Sequence, residues 1–270
     1  MQSNIVIAAF YHFADFPDYA EKRREWLEFC NERGLKGTIL MASEGINSTI
    51  SGSRAGIDAL LDFIRADTRF SGLAWKESYA DFQPFERMKV RLKSEIVRLG
   101  IVNLEPKNFA GTYIKPKDWD EFMAKPGVKI IDTRNDYEVK IGHFAGAINP
   151  KTRNFRDFPA WAEENLHLSP ETPIGMYCTG GIRCEKSTAY LKTRGFKNVY
   201  HLQGGILQYL EDTGNKGKKW QGECFVFDDR VAVNNDLAPT SVGSCPDCGS
   251  PLTTDSLKNS RCGDCNKSLI

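Results

Sequence analysis

No apolar run in this 270-residue chain approaches the length of a membrane-spanning helix. Its first residues, Met1-Gln2-Ser3-Asn4, put no basic stretch ahead of the apolar positions 5–10. Neither a membrane span nor a secretory leader is therefore expected, and the chain reads as cytoplasmic. Charge of one sign is also missing: 36 Lys and Arg against 35 Asp and Glu leave a formal net charge of +1. That balance excludes a polycation, so any contact with nucleic acid has to come from local basic patches. Cysteine is sparse, eight in 270 residues, and four of the eight fall in two C-x-x-C pairs near the end. This spacing argues against a secreted disulfide framework and for metal binding and catalysis. What is present, 41% hydrophobic and 26% charged residues, suffices for two ordinary cores and a small further module.

The first hundred residues alternate in a β-α-β-β-α-β order. A strand is expected at 5–11. A helix from about Pro17 follows, with Tyr19, Trp26, Leu27 and Cys30 on one face and Gly34 as its stop. Strands at 37–41 and 46–50 flank a turn at Ser43-Glu44-Gly45. Ser53 can cap a second helix carrying the stripe Ile57, Leu60, Leu61, Ile64, and residues 86–97 read as the closing strand. This order is that of a ferredoxin-like, or acylphosphatase-like, domain, assigned to 1–100. On the closing strand Arg87, Lys89, Arg91 and Lys93 alternate with Met88, Val90 and Leu92, giving one cationic face. Such a stripe suits a phosphate backbone, although a solvated charged face is the ordinary reading. The stacking aromatics of an RNA-recognition motif are not in the third strand, where Asn47-Ser48-Thr49 stands instead.

After an expected linker at 101–116, residues 117–214 change to an α/β rhythm. Short strands are expected at 128–132, 147–148, 174–177 and 199–202, and helices at 117–124, 137–141, 158–166, 183–194 and 205–211. That alternation implies a parallel sheet covered on both faces. The chemically pointed segment is Tyr177-Cys178-Thr179-Gly180-Gly181-Ile182-Arg183-Cys184. It places a thiol on a glycine-rich turn at the carboxyl end of a strand, where open α/β sheets bind ligands. Loop amides, the start of the next helix and the Arg183 guanidinium would all favour the nucleophilic thiolate. The last region, 215–270, is a looser extension ending in Cys245-Pro246-Asp247-Cys248 and Cys262-Gly263-Asp264-Cys265. The two knuckles can close four thiolates around one ion: structural zinc is expected, with iron in a rubredoxin-like site, or unliganded or disulfide-bonded cysteines, as the alternatives.

Two separated pieces give the middle region its likeness. Asp132-Thr133-Arg134 with Glu138, followed by Gly142-His143-Phe144-Ala145-Gly146-Ala147, and the C-x4-R loop from Cys178 to Arg183 resemble a rhodanese domain. Related phosphatase loops are one residue longer, which counts against a phosphatase. The whole chain resembles the bacterial family of oxygen-dependent tRNA uridine 5-hydroxylases. Besides the loop, the likeness is carried by Ala42-Ser43-Glu44-Gly45-Ile46-Asn47, Lys89-Val90-Arg91, Glu95-Ile96-Val97 and Phe225-Val226-Phe227-Asp228-Asp229-Arg230-Val231. Where the family pattern has E-G-I-N-G-T, Ser48 replaces the second glycine. The resemblance implies hydroxylation of the tRNA wobble uridine with molecular oxygen as co-substrate. It also implies Cys178 as the catalytic residue, working as a persulfide or another oxidised sulfur state. Addition of the Cys178 sulfur to uridine C6 would activate C5. No iron-binding facial triad, dinucleotide fingerprint or flavin motif is readable, and the sulfur or electron donor is not identified by the sequence.

Several residues carry paired readings. Cys184 is either a resolving thiol for Cys178 or an inward-packed side chain. Arg183 either donates to an anion held in the loop or makes a structural ion pair. Asp132, Arg134 and Glu138 are expected to brace the loop, His143 to be structural, and Cys30 to be core. Glu44 and Asn47 either make the hairpin turn or touch substrate. Lys151, Arg153 and Arg156 join the cationic strand as candidate RNA contacts. Two rival functions remain: a sulfurtransferase carrying a Cys178 persulfide, and a non-enzymatic rhodanese and zinc adaptor.

Overall fold

The computed structural model describes residues 5–102, 104–214, 217 and 219–269. It divides into two compact units, Met1–Arg98 and Leu99–Ile270. Residues 1–4, read above as lacking a basic leader, and residues 215, 216 and 218 at the head of the tail lie outside the described set.

The first unit runs β1 (Ile5–Phe13), α1 (Tyr19–Glu32), β2 (Lys36–Ala42), β3 (Gly45–Gly52), α2 (Arg54–Arg65), β4 (Trp75–Ala80) and β5 (Met88–Leu92). Its five-stranded sheet has the order β4-β1-β3-β2-β5, antiparallel except for the parallel pair β2 and β5. Val6, Ala8 and Phe10 from β1, Ile39 and Met41 from β2 and Ile46 and Ile50 from β3 form one face. The α2 stripe Ile57, Leu60, Leu61 and Ile64 packs onto it. Each such burial removes an aliphatic side chain from water, a gain of ~1.5–3 kcal/mol. Ser53 caps α2 by accepting from the Gly56 amide at 3.1 Å. Gly45 lies at φ 133°, and a Cβ there would sit 2.0 Å from the His12 carbonyl oxygen, so the β2–β3 turn requires glycine.

The expected closing strand needs correction. The ferredoxin-like pattern is completed by β4, and the cationic segment forms β5, a shorter fifth strand at the opposite edge. The reason is chemical: β4 turns Trp75, Glu77 and Tyr79 to the helix side. Glu77 fills its place by pairing with Arg54 of α2 at 3.0 Å, so no apolar alternation marks the strand. The β5 edge is covered in part by α1, whose Arg23 Nε donates to the Val90 carbonyl at 3.0 Å.

The second unit continues with α3 (Pro106–Phe109), β6 (Thr112–Ile114), α4 (Pro116–Ala124), β7 (Lys129–Asp132), α5 (Asp136–Val139), β8 (Gly142–Phe144) and α6 (Phe158–Asn165). Then come β9 (Ile174–Tyr177), α7 (Ile182–Thr193), β10 (Val199–Leu202), α8 (Gly205–Thr213), β11 (Trp220–Gly222), β12 (Cys224–Phe225), β13 (Ala232–Val233) and α9 (Thr254–Lys258). A four-stranded parallel sheet runs β6-β10-β9-β7, and Ile148 extends it by a parallel bridge to Ile131. The stretch expected as linker, 101–116, instead carries α3 and the edge strand β6. A three-residue strand whose register is set by β10 leaves little local pattern to read. The extension is tied to this unit: β11 pairs antiparallel with β8, and Trp220 and Val226 join its core. Among the described residues no helix is long and apolar enough to cross a membrane.

Candidate active site

Strand β9 is buried along its whole length and delivers the chain to Cys178 at its carboxyl end. The loop can then turn because Gly181 adopts φ 103° as the cap of α7. Its amide donates to Cys178 Sγ at 3.1 Å. From the other side, the first amides of α8 hold the loop's carbonyls: Ile206 N donates to Cys178 O at 2.9 Å and Leu207 N to Thr179 O at 3.1 Å. Gly205, at φ 67°, passes so close that a Cβ would meet Cys178 O at 2.4 Å. The sequence reading missed this glycine. The pair Gly204-Gly205 just ahead of a helix was its signal.

Two buried ion pairs brace the loop. Arg134 donates from its amide and Nε to Asp132 Oδ1 at 3.0 and 2.9 Å and from Nη2 to Asp132 Oδ2 at 2.6 Å, then reaches the Gly142 carbonyl at 2.6 Å. Glu138 accepts from both guanidinium ends of Arg183 at 2.6 and 2.7 Å, from Asn135 N at 3.0 Å and from Thr179 Oγ1 at 3.3 Å. Burial would raise the Glu138 carboxyl, but Arg183 and then Arg134 hold it below its ordinary value. Of the two readings of Arg183, the geometry shows the structural ion pair. Its fork is committed to Glu138, which also divides its charge between that carboxylate and the thiol.

Burial alone would push the Cys178 thiol up. The hydrogen bond from the Cys184 thiol, the Arg183 charge and the amides of Cys184 and Gly181 outweigh it and hold Cys178 well below the usual thiol range. Cys184 is driven the opposite way, first by burial and then by its bond to Cys178 and the charge there. The pair therefore shares one proton, kept on Cys184. Cys184 is fully buried in the first turn of α7, with Thr133 Oγ1 3.6 Å from its sulfur. Cys178 is 1% exposed, whereas above Gly180 nothing lies within 4 Å of a built Cβ, so the loop is open at its crest. Ile182 is half-buried at the start of α7, and Thr179 is buried beneath the crest.

The remaining residues separate clearly. Cys30 and Cys224 are buried and their thiols are pushed up to about 12, first by desolvation, so neither offers a thiolate. His143 Nδ1 sits 3.3 Å from the Val139 carbonyl. Glu44 Oε1 accepts from Ile96 N at 2.7 Å and Asn47 Nδ2 donates to Ile96 O at 2.9 Å. The two motif pieces around residues 44–47 and 95–97 therefore clasp one another within the first unit. Arg87, Arg91 and Lys93 are exposed and Lys89 half-buried in that unit, while Lys151, Arg153 and Arg156 are exposed between β8 and α6 in the second. The latter loop packs on α5 through Asp136 N to Thr152 O at 2.9 Å. Another feature escaped the sequence reading. The β12–β13 hairpin carries Phe227 to within 5.8 Å of the Arg183 guanidinium carbon, measured to the ring centroid.

At the far end of the extension the ligand atoms of Cys245, Cys248, Cys262 and Cys265 lie within 4.8 Å of one another, a group that could hold a metal ion. The pairs Cys245–Cys265 and Cys248–Cys262 have sulfurs 3.7 and 3.6 Å apart. Thiolates at ~2.3 Å around a tetrahedral ion have edges of ~3.8 Å, so the donor set fits such an ion. Lys140, the residue that caps the C-terminus of α5, donates to Asp264 at 2.7 Å and ties the second knuckle to the helix beside the catalytic loop.

A strand-end cysteine in a C-x4-R loop, braced by D-x-R and a buried glutamate, defines a rhodanese-type protein. Here it is joined to an acylphosphatase-like unit and a cysteine-knuckle extension. The chain matches the UPF0176 acylphosphatase like domain over residues 5–96, the rhodanese-like domain over 115–212 and the rhodanase C-terminal region over 221–270. It is 55% identical over 271 residues to the tRNA uridine(34) hydroxylase of Wolbachia pipientis subsp. Culex pipiens (strain wPip), covering 98% of this chain and 95% of that one. It is 51% identical over 254 residues to the tRNA uridine(34) hydroxylase of Sinorhizobium medicae (strain WSM419), covering 94% and 81%. The chain belongs to the tRNA uridine(34) hydroxylase family.

Proposed function

We propose that this protein is a cytoplasmic enzyme that hydroxylates C5 of uridine 34 in tRNA, with Cys178 as its nucleophile. The observation that carries the reading is a thiolate stabilised beneath the open crest of a rigid loop. Conjugate addition of the Cys178 sulfur to C6 of the uracil ring moves an electron pair to C5, which then takes one oxygen atom from molecular oxygen. Loss of the C5 proton and departure of the sulfur restore the double bond. The balance is C5–H + O2 + 2 e− + 2 H+ → C5–OH + H2O. Closure of Cys178 and Cys184 to a disulfide would release two electrons and the one proton the pair holds, the second proton coming from water, and an external dithiol would reset the pair.

For RNA binding, direct cross-strand partners share a face of the sheet. Lys89 stands opposite Thr38, then Thr49, Ala9 and Lys76 across the sheet, and Arg91 lies in the next row with Leu40, Asn47 and Tyr11. The face away from the helices thus combines cations at both edges with an aromatic ring, the composition that single-stranded RNA favours. Arg87 and Lys93 flank β5, and Lys151, Arg153 and Arg156 add phosphate contacts on the second unit. In the extension, zinc is the ion that four closed thiolates select, serving structure rather than catalysis.

The test is nucleoside mass spectrometry of tRNA from a strain lacking the gene, complemented with the wild type or with Cys178→Ser. The wild type alone should restore 5-hydroxyuridine. Restoration by Cys178→Ser refutes the mechanism, and loss of thiolated nucleosides instead assigns sulfur transfer. Binding of tRNA to the protein should weaken steeply with salt, and a flat response removes the basic face from the account.

A further inference from the structure

We propose that Phe227 is the stacking platform for the target pyrimidine, holding the base over the active-site loop so that C6 faces Cys178. The proposal rests on the tRNA hydroxylase reading and assigns a role to the Phe225–Val231 segment, which the catalytic chemistry leaves unused. Phe227 is 57% exposed, although it stands beside a buried catalytic loop. Its ring lies 5.8 Å from the Arg183 guanidinium carbon and meets Phe225 edge-on at 5.1 Å, and Phe225 in turn meets Tyr137 of α5 at 5.3 Å. One edge of the ring is thus fixed by aromatic packing, while more than half of the residue remains open to solvent.

The backbone that presents this ring is held firmly. Val226 N donates to Val231 O at 2.9 Å and Val231 N to Asp228 O at 2.9 Å, closing a tight hairpin end. Asp228 and Arg230, both almost fully buried, pair within that end at 2.6 Å. Val231 adopts φ 61°, a left-handed conformation that a β-branched residue takes only under constraint. A buried ion pair and a strained valine thus keep one exposed aromatic ring at a fixed place. A surface side chain without a task would not need such support. The chemistry that fits is a planar ring: a pyrimidine laid on Phe227 lies alongside the guanidinium that neighbours Cys178. It reaches the loop over Gly180, where the space is open.

The experiment has two arms. Full-length protein is irradiated with tRNA bearing 5-iodouridine at position 34, and the cross-linked peptide is identified by mass spectrometry. Phe227 is the expected attachment point, and a cross-link confined to other residues overturns the proposal. In parallel, hydroxylation kinetics are measured for Phe227→Ala, Phe227→Leu and Phe227→Trp. Stacking on one aromatic ring predicts that Ala and Leu lose roughly 5- to 150-fold in kcat/KM while Trp stays close to wild type. The Cys178 titration should be unmoved in all three, which a merely structural role for the ring would not require. Wild-type kcat/KM in Phe227→Ala overturns the proposal. A wild-type protein that cross-links through Phe227 but forms no 5-hydroxyuridine leaves the base platform standing and removes the hydroxylase reading instead.

Discussion

Replacing Cys184 by alanine removes the hydrogen bond that does most to offset burial of the Cys178 thiolate. A hydrogen bond to a charged group contributes ~1.5–3 kcal/mol. At 1.36 kcal/mol per unit, the Cys178 titration midpoint should rise by ~1–2 units in Cys184→Ala. Cys184→Ser keeps a hydroxyl in the same place, next to Thr133, and should titrate near wild type. The assay is thiolate ultraviolet absorbance against pH, each protein read as a difference from its Cys178→Ser counterpart so that the cysteines remote from the loop cancel. An unmoved midpoint in Cys184→Ala would refute the shared-proton account. Hydroxylation by the same proteins then separates two duties. If Cys184 only holds a proton, Cys184→Ser stays active. If it closes a disulfide with Cys178, serine and alanine fail alike, whatever their titrations.

Glu138→Gln leaves the buried Arg183 guanidinium without its counter-charge and should destabilise the second unit by ~3–5 kcal/mol in denaturant unfolding; a loss below ~1 kcal/mol would mean that water reaches the pair. His201 is buried, its Nε2 is 3.1 Å from the Gly111 carbonyl, and desolvation lowers it to about 4 from 6.5. Because the folded value is depressed, its contribution is fully present above pH 6.5 and drains away as pH falls toward 4, a difference of roughly 3 kcal/mol. His201→Gln should flatten the stability profile across that window, and an unchanged acid slope would contradict it. Removing the metal with a strong chelator should expose residues 244–269 to protease while the parallel sheet keeps its resistance; equal digestion with and without chelator argues against a metal-held extension.

Much of the architecture was readable because its signals are local. The α2 stripe, the β9 strand and the Cys178 turn each depend on residues within one element. Strand β4 was hidden because its helix-side positions are Trp75, Glu77 and Tyr79, and a glutamate neutralised by Arg54 carries no apolar signature. Helix α7 shows the opposite difficulty. Its residues from Arg183 to Leu191 are all buried, so no amphipathic period marks which face meets the sheet. The commitment of Arg183 to Glu138, 45 positions away, is likewise invisible to any local rule.

The sequence D-x-R shows where legibility ends. In Asp67-Thr68-Arg69, Asp132-Thr133-Arg134 and Asp228-Asp229-Arg230 the aspartate accepts from the amide two residues on, at 3.0, 3.0 and 3.1 Å. In each, the arginine's Nη2 returns to the same carboxylate at 2.6 Å. The clasp is therefore a property of the tripeptide, fixed by an Asx-type turn and a bidentate ion pair. Its use is not. The first copy lies in the acylphosphatase-like unit, where Arg69 also holds Asp18. The second spends its spare donor on Gly142 and so fastens β8 beside the catalytic loop. The third rigidifies the hairpin end that carries Phe227. One local device thus serves three ends, and only the tertiary contacts of each arginine decide which copy bears on the reaction.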